Sequence, residues 1–189
     1  TLFRNDLFDP VLNVTISEKV GFNSNFNVFI PRNGSLRQRN NISHVKNIGF
    51  ESDFIFYISE NLEFNANYLF TNPKISKSNV FEDLRGNRLA QVSKHQGNLS
   101  LAYNYKDSLK TSVDLLYTGK QFEDDTNIRK LKKANTINIF SEYLITEKSI
   151  IYFSLENFLN KRAQVGVTKD GLISIGPPRF FWFGIRIKS

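Results

Sequence analysis

The residues that could do chemistry are few and badly spaced for it. His44 and His95 are the only histidines and there is no cysteine. Thiol catalysis, disulfides and thiolate metal sites are therefore excluded, and neither histidine stands at a metal-ligand spacing. Each is expected at the surface or at the start of a strand. Glu123, Asp124 and Asp125 follow one another but lack the spaced carboxylates and central glycine of a calcium loop, so a solvated acidic turn is expected. Gly34, Gly86 and Gly171 are isolated and cannot cradle a phosphate. No nucleophile is paired with a base, so the chain reads as a non-enzyme without metal or cofactor. What remains is charge. Segments 10–40, 74–94, 120–133 and 160–179 hold 18 Lys and Arg against seven acids, which makes them +11 in a chain whose net charge is +7. Within them Arg37, Arg39, Arg85, Arg88, Arg129, Lys130, Lys132 and Lys133 are candidate contacts for an anionic ligand, because a positive rim raises the local concentration of anions.

The elements that must carry those segments have a period of two. In residues 62–70 the positions Leu62, Phe64, Ala66, Tyr68 and Phe70 are apolar, and three of the four between them are polar. That pattern is a strand with one apolar and one wet face. It recurs around 48–58, 99–105, 113–117, 137–143, 151–156 and 180–188, and with a poorly defined first strand near residues 2–9 it predicts about eight strands. Glu51, Asp53, Glu63, Asp114, Glu142 and Glu156 all fall on the polar parity. The 18 Phe and 7 Tyr lie mainly on the apolar parity, away from the basic segments, so nucleic-acid binding is not expected.

Connections near 59–61, 106–108 and 146–149 are short, and the four basic segments between them are long. Alternating short and long connections put every long loop at one end of a sheet. No apolar run approaches the ~20 residues of a membrane helix, whereas a barrel strand needs only ~9–11. Long loops at one end and tight turns at the other are the habit of outer-membrane barrels. A charge on the lipid face of such a barrel is costly, and one in the lumen costs little. The fold class is therefore read as all-β, an antiparallel transmembrane β-barrel, with the six acids facing the lumen. A soluble antiparallel sandwich, which also alternates, is the competing reading. The chain begins with Thr1 and contains no Met, which is expected of a processed chain or a piece of a longer one.

Several stretches resemble a known family. Glu156-Asn157-Phe158-Leu159-Asn160-Lys161-Arg162, then Gly176-Pro177-Pro178-Arg179 and the aromatic stretch 180–188, resemble the end of TonB-dependent outer-membrane receptors. Phe3-Arg4-Asn5-Asp6 with Asp9-Pro10, Asn47-Ile48-Gly49-Phe50-Glu51, and Leu89-Ala90-Gln91-Val92-Ser93-Lys94-His95 resemble further strands of that family, in the same order. Ser93 stands where the family usually has Pro, and the ending Ile187-Lys188-Ser189 lacks the usual terminal aromatic.

The resemblance implies that residues 1–189 are the C-terminal part of a receptor barrel, about eight strands of 22, with the plug domain absent. It implies a bacterial outer-membrane protein serving TonB-energised uptake of a ferric siderophore or similar nutrient, with an anionic metal chelate as ligand. The implied partners are outer-membrane lipid and lipopolysaccharide, whose phosphates are the alternative target of the eight basic loop residues, with the TonB system through the missing plug and the barrel-assembly machinery. That machinery would read the last strand through Phe181, Phe183, Ile185 and Ile187. The alternatives are a self-contained eight-stranded outer-membrane barrel and a soluble β-sandwich binding module.

Overall fold

A computed structural model describes residues 1–187 apart from Glu18, Val20, 33–35 and 79–80. Gly34 and Lys188, both used in the sequence reading, lie outside the described residues. The alternating segments become eight long strands: β1 (Leu2–Phe8), β2 (His44–Ser59), β3 (Leu62–Thr71), β4 (His95–Tyr105), β5 (Leu109–Thr118), β6 (Ala134–Thr146), β7 (Ser149–Glu156) and β8 (Phe180–Ile187). They form an antiparallel meander in which each strand pairs with its neighbours in sequence. The all-β, antiparallel expectation is borne out.

The register sorts the side chains into two faces. One row crosses from β2 to β8 as Phe56, Phe64, Leu101, Val113, Ile139, Leu155 and Phe181, each opposite the next. Phe50, Phe54, Leu99, Leu115, Phe153, Phe183 and Ile185 continue this apolar face. The opposite face carries Asn65, Ser100, Asp114 and Asn138 in one row. Glu51, Asp53, Glu63, Glu142 and Glu156 share that polar face.

Two-residue turns join β2 to β3 and β6 to β7. Between β4 and β5, Lys106 and Asp107 both take positive φ (46° and 53°), the hairpin geometry whose twist matches that of the flanking strands. The other connections are long and lie together at the opposite end of the sheet. They are not structureless. Val11–Ser17 pairs with Leu36–Asn41, Gly21–Asn23 with Val28–Ile30, Gln121–Phe122 with Lys130–Leu131, and Gln164–Val167 with Ile173–Ile175. Glu82–Leu84 forms a single 3-10 turn. Beyond Asn72 and Pro73 the chain resumes as Lys74–Lys77, which runs along the loop end of β2 on the β3 side. Proline has no N–H for the ladder, and the interruption falls there.

Among the described residues most buried apolar side chains gather at the loop end, Ile150 near the turn end of β7 being the exception. Ile42, Val45, Ile75 and Leu84 pack with Leu12, Phe81 and Leu89. The sheet's apolar face is open instead: Phe183 is 80% exposed, Ile187 75% and Phe54 53%. Among the described residues no second sheet covers it, so the architecture is not that of a sandwich. Nor do the eight strands close on themselves, since β1 pairs only with β2, and β8 only with β7.

Candidate functional site

The basic segments fold into one connected layer above the sheet, held by short polar side chains. Thr15 donates to the Asp125 carboxylate through both its N–H and its hydroxyl, each at 2.9 Å. This ties the first loop to the third. Asn87 Nδ2 donates to the Asp125 carbonyl at 3.0 Å. Asn127 meets Arg88 as a strand would, accepting its N–H at Oδ1 and donating Nδ2 to its carbonyl, both at 2.8 Å. The N–H of Lys132 donates to Gln164 Oε1 at 3.1 Å and brings in the fourth loop.

Asp124 organises the third loop from within. Its side chain is buried, contrary to the expectation of a solvated turn. It accepts from the Thr126 hydroxyl, from the N–H of Ile128 (3.1 Å) and from the N–H of Arg129 (2.6 Å). The Arg129 guanidinium lies 3.4 Å away. Burial pushes the carboxyl's pKa up, but the Thr126 hydroxyl, the two amides and the Arg129 charge together outweigh it and hold the group below its usual range. An acid placed to accept local N–H groups is a turn-former, and no trio of potential metal ligands occurs among the described residues.

The eight candidate cations therefore divide. Arg37, Arg39, Arg85, Lys130, Lys132 and Lys133 are exposed. Arg88 and Arg129 are not surface groups, and each is engaged in loop packing. The Arg88 guanidinium donates to the Val92 carbonyl at 3.0 Å and sits 5.2 Å from the centre of the Phe122 ring, and burial lowers its pKa. In the run 129–133, Leu131 is an anchor at 1% exposure, with charge on either side. A cleft of about 450 Å³ opens on the polar face of the sheet, among Glu51, Asp53, Asn67, Gln96, Asn98 and Thr118. A second, of about 360 Å³, lies among the loops and is lined by Arg37, Arg88, Gln91, Glu123 and Asp125. This cleft balances two cations with two acids, so it is not a purely cationic trap.

The polar face also holds an ionic row near the turn end. Glu142 faces Lys110 Nζ at 4.0 Å and Arg186 at 3.8 Å. The Arg186 guanidinium lies 5.6 Å from the Tyr152 ring, and Trp182 meets the same ring edge-on at 5.3 Å. Tyr152 lies across Gly184, where any β-carbon would collide with it. Phe181, Phe183, Ile185 and Ile187 of the last strand all lie on the apolar face, opposite Leu155, Phe153, Ile151 and Ser149.

In the sequence Asn157 is only one residue of a motif; its role is visible in three dimensions. At φ 49°, with 6% exposure, it accepts the Lys161 N–H at 2.8 Å. It also donates to the Lys161 and Pro177 carbonyls at 2.9 and 3.1 Å. Asn160 Oδ1 accepts the Arg179 N–H at 3.0 Å. The Asn157-to-Arg162 turn and the Gly176-to-Arg179 segment are thus clipped together, which aims β8 back along β7. Asn127 and the Thr15–Asp125 clasp were missed altogether. The spacing Asp124-Asp125-Thr126-Asn127 is a turn signal that could have found them.

The histidines sit at strand starts, as expected. His95 opens β4, its Nδ1 2.7 Å from the Tyr68 hydroxyl, and His44 opens β2.

No family model matches the sequence. An iron-regulated outer membrane virulence protein of Vibrio cholerae is 25% identical over 156 residues, covering 79% of this chain and 22% of that protein. Among solved structures, the siderophore receptor PiuA from Acinetobacter baumannii superposes over 98% of this chain and 25% of its own, with a TM-score of 0.69 at 14% identity. The copper transporter OprC gives a TM-score of 0.72 at 15% identity, over 97% of this chain and 27% of its own. The ferric yersiniabactin uptake receptor FyuA from Yersinia pestis gives 0.67 at 16%, over 79% and 24%. The chain thus spans about a quarter of the length of the proteins it matches. Its fold is that of a barrel segment from an outer-membrane receptor, and the resemblance to TonB-dependent receptors read in its sequence is borne out.

Proposed function

We propose that this chain is the C-terminal part of the barrel of a TonB-dependent outer-membrane receptor, which imports a ferric siderophore or a similar anionic metal chelate. The observation that carries this reading is the sheet itself. It is a meander with a continuous apolar face, charge-bearing loops at one end, tight turns at the other, and an unpaired strand at each edge. Lipid covers the apolar face in this reading, and further strands of the same barrel pair with β1 and β8. The face bearing Glu51, Asp53, Glu63, Asp114, Glu142 and Glu156 lines the lumen, where charge is cheap.

Exposed Arg37, Arg39, Arg85, Lys130, Lys132 and Lys133 form an attractive rim for the chelate, while Arg88 and Arg129 keep that rim in shape. The plug that the TonB system would pull lies outside residues 1–189. Phe181, Phe183, Ile185 and Ile187 present the last strand to the barrel-assembly machinery. No step is catalytic; the protein binds and transports.

An antibody against residues 173–187, applied to outer-membrane fractions on a denaturing gel, tests the reading. A band several times heavier than 21.9 kDa is expected. A band near 21.9 kDa in that membrane would replace the receptor with a small self-contained barrel, although the open edges speak against one. Signal confined to the soluble fraction would overturn both. Deleting the gene is further expected to slow growth when iron is available only as an exogenous ferric siderophore.

A further inference from the structure

The apolar face carries charge in only one place among the described residues of the eight strands. Arg4 and Asp6 of β1 and Lys46 of β2 lie on it at the loop end, with His44 beside them, because Arg4 opposes Ile48, Asp6 opposes Lys46 and Phe8 opposes His44. Lys74, on the short strand alongside β2, opposes Lys46. Along β2 the apolar face runs from Ile48 to Phe56, about 26 Å of strand at ~3.3 Å per residue, or roughly 20 Å of height at the ~40° tilt of a barrel strand. Lys46 and His44 come next, at the height where a barrel's hydrocarbon band gives way to headgroups.

The patch is organised. Asp6 accepts from Arg4 Nε at 2.9 Å, and its other oxygen lies 3.1 Å from His44 Nε2. The Ser76 hydroxyl lies 2.7 Å from His44 Nδ1, and the Phe8 ring stacks on the imidazole at 4.8 Å. The single carboxylate is thus engaged with Arg4 and His44. Lys46 and Lys74 make no ion pair among the described residues, and the Arg4 side chain is 62% exposed. The opposite side of the sheet at this level is filled by the core around Val45 and Ile75, so only the apolar side is open to a ligand.

We propose that Arg4, Lys46 and Lys74 form a site for the phosphate of an outer-leaflet lipid. This rests on the reading of the apolar face as lipid-facing. Three cations on adjacent strands, of which Arg4 is held by Asp6 and Lys46 and Lys74 are left without an acid among the described residues, lie beside the aromatic rings of Phe8 and Phe50. They match a phosphate at the headgroup level with acyl chains lying along Ile48, Phe50 and Phe70. The site is separate from the loop rim, whose cations Arg37, Arg39, Arg85, Lys130, Lys132 and Lys133 stand on the loops above.

The test uses the full-length protein, extracted from its membrane in mild detergent, stripped of lipid and analysed by native mass spectrometry. The probes are diphosphorylated lipid A and its dephosphorylated form. One retained lipid A per chain is expected, with at least tenfold weaker retention in the Arg4→Gln/Lys46→Gln/Lys74→Gln variant and in milder form in Lys74→Gln alone. A Lys130→Gln/Lys132→Gln/Lys133→Gln variant should retain lipid A like the parent. Equal retention by the first variant, equal retention of dephosphorylated lipid A, or displacement by equimolar inorganic phosphate would each overturn the site. Failure of the underlying reading is seen separately: the parent protein would then be absent from the outer membrane.

Discussion

Asn157 combines a backbone angle that few residues tolerate with an amide that fills three hydrogen-bonding positions, so the two roles can be separated by substitution. Asn157→Ala removes all three part-buried side-chain bonds and leaves the Lys161 and Pro177 carbonyls without that donor, an expected cost of roughly 1–3 kcal/mol. Asn157→Gly should recover the angle but not the bonds. The measurement is the temperature at which the folded full-length protein loses its fast migration on a cold denaturing gel, and Ala should lower it more than Gly. Asp124 makes a prediction in pH. Its folded pKa lies below the unfolded value of 3.8, so its stabilising effect is complete above that value and is lost as pH falls through the folded pKa. Protection of the third loop against an acid-active protease should therefore collapse below about pH 4. The Asp124→Asn variant should be cut more readily than the parent at neutral pH and show a flatter response to acid. Neither residue's role was legible in the sequence. Asn and Asp signal a turn wherever they cluster, but which carbonyl or amide they reach depends on loops that meet only in space.

At the scale of the strand, much more was legible. A period of two fixes which side chains share a face before any partner strand is known, and it held from β2 to β8. It failed at β1, where Leu2, Arg4, Asp6 and Phe8 share one face and Phe3, Asn5 and Leu7 the other, so neither is clearly wet or dry. It failed again in the loops, because strands of two to four residues are too short to show alternation. The faces themselves make the sharpest prediction. Leu101 and Val113 are cross-strand partners in the middle of the apolar face. Arginine at either position should cost about 2–4 kcal/mol near the bilayer midplane and block assembly into the outer membrane. Ser100→Arg, at the same depth on the other face and opposite Asp114, should assemble normally. Folded protein recovered from the membrane is the readout, and equal tolerance of all three would reassign the apolar face.

The molecule as a whole is a sheet with two unsatisfied edges and an exposed apolar face, features that water does not tolerate in a stable monomer. Produced alone, residues 1–189 should associate or aggregate, and in detergent should give no folded monomer that migrates faster unheated than heated. The same residues within a full-length barrel should. The arrangement of the loops has a further consequence. Every long connection leaves the sheet at the same end, and together they carry 18 Lys and Arg. If the tight turns stay on the side from which the chain arrives, each pair of strands can enter turn-last only after its charged loop has already crossed. Hydrocarbon offers that loop no path, but the polar face of the strands already assembled does. On the proposed barrel reading, Glu51, Asp53, Glu63 and Asp114 would then serve during biogenesis as a wet, negatively charged slide for positive cargo belonging to the same chain, the acids of one hairpin easing the crossing of the next.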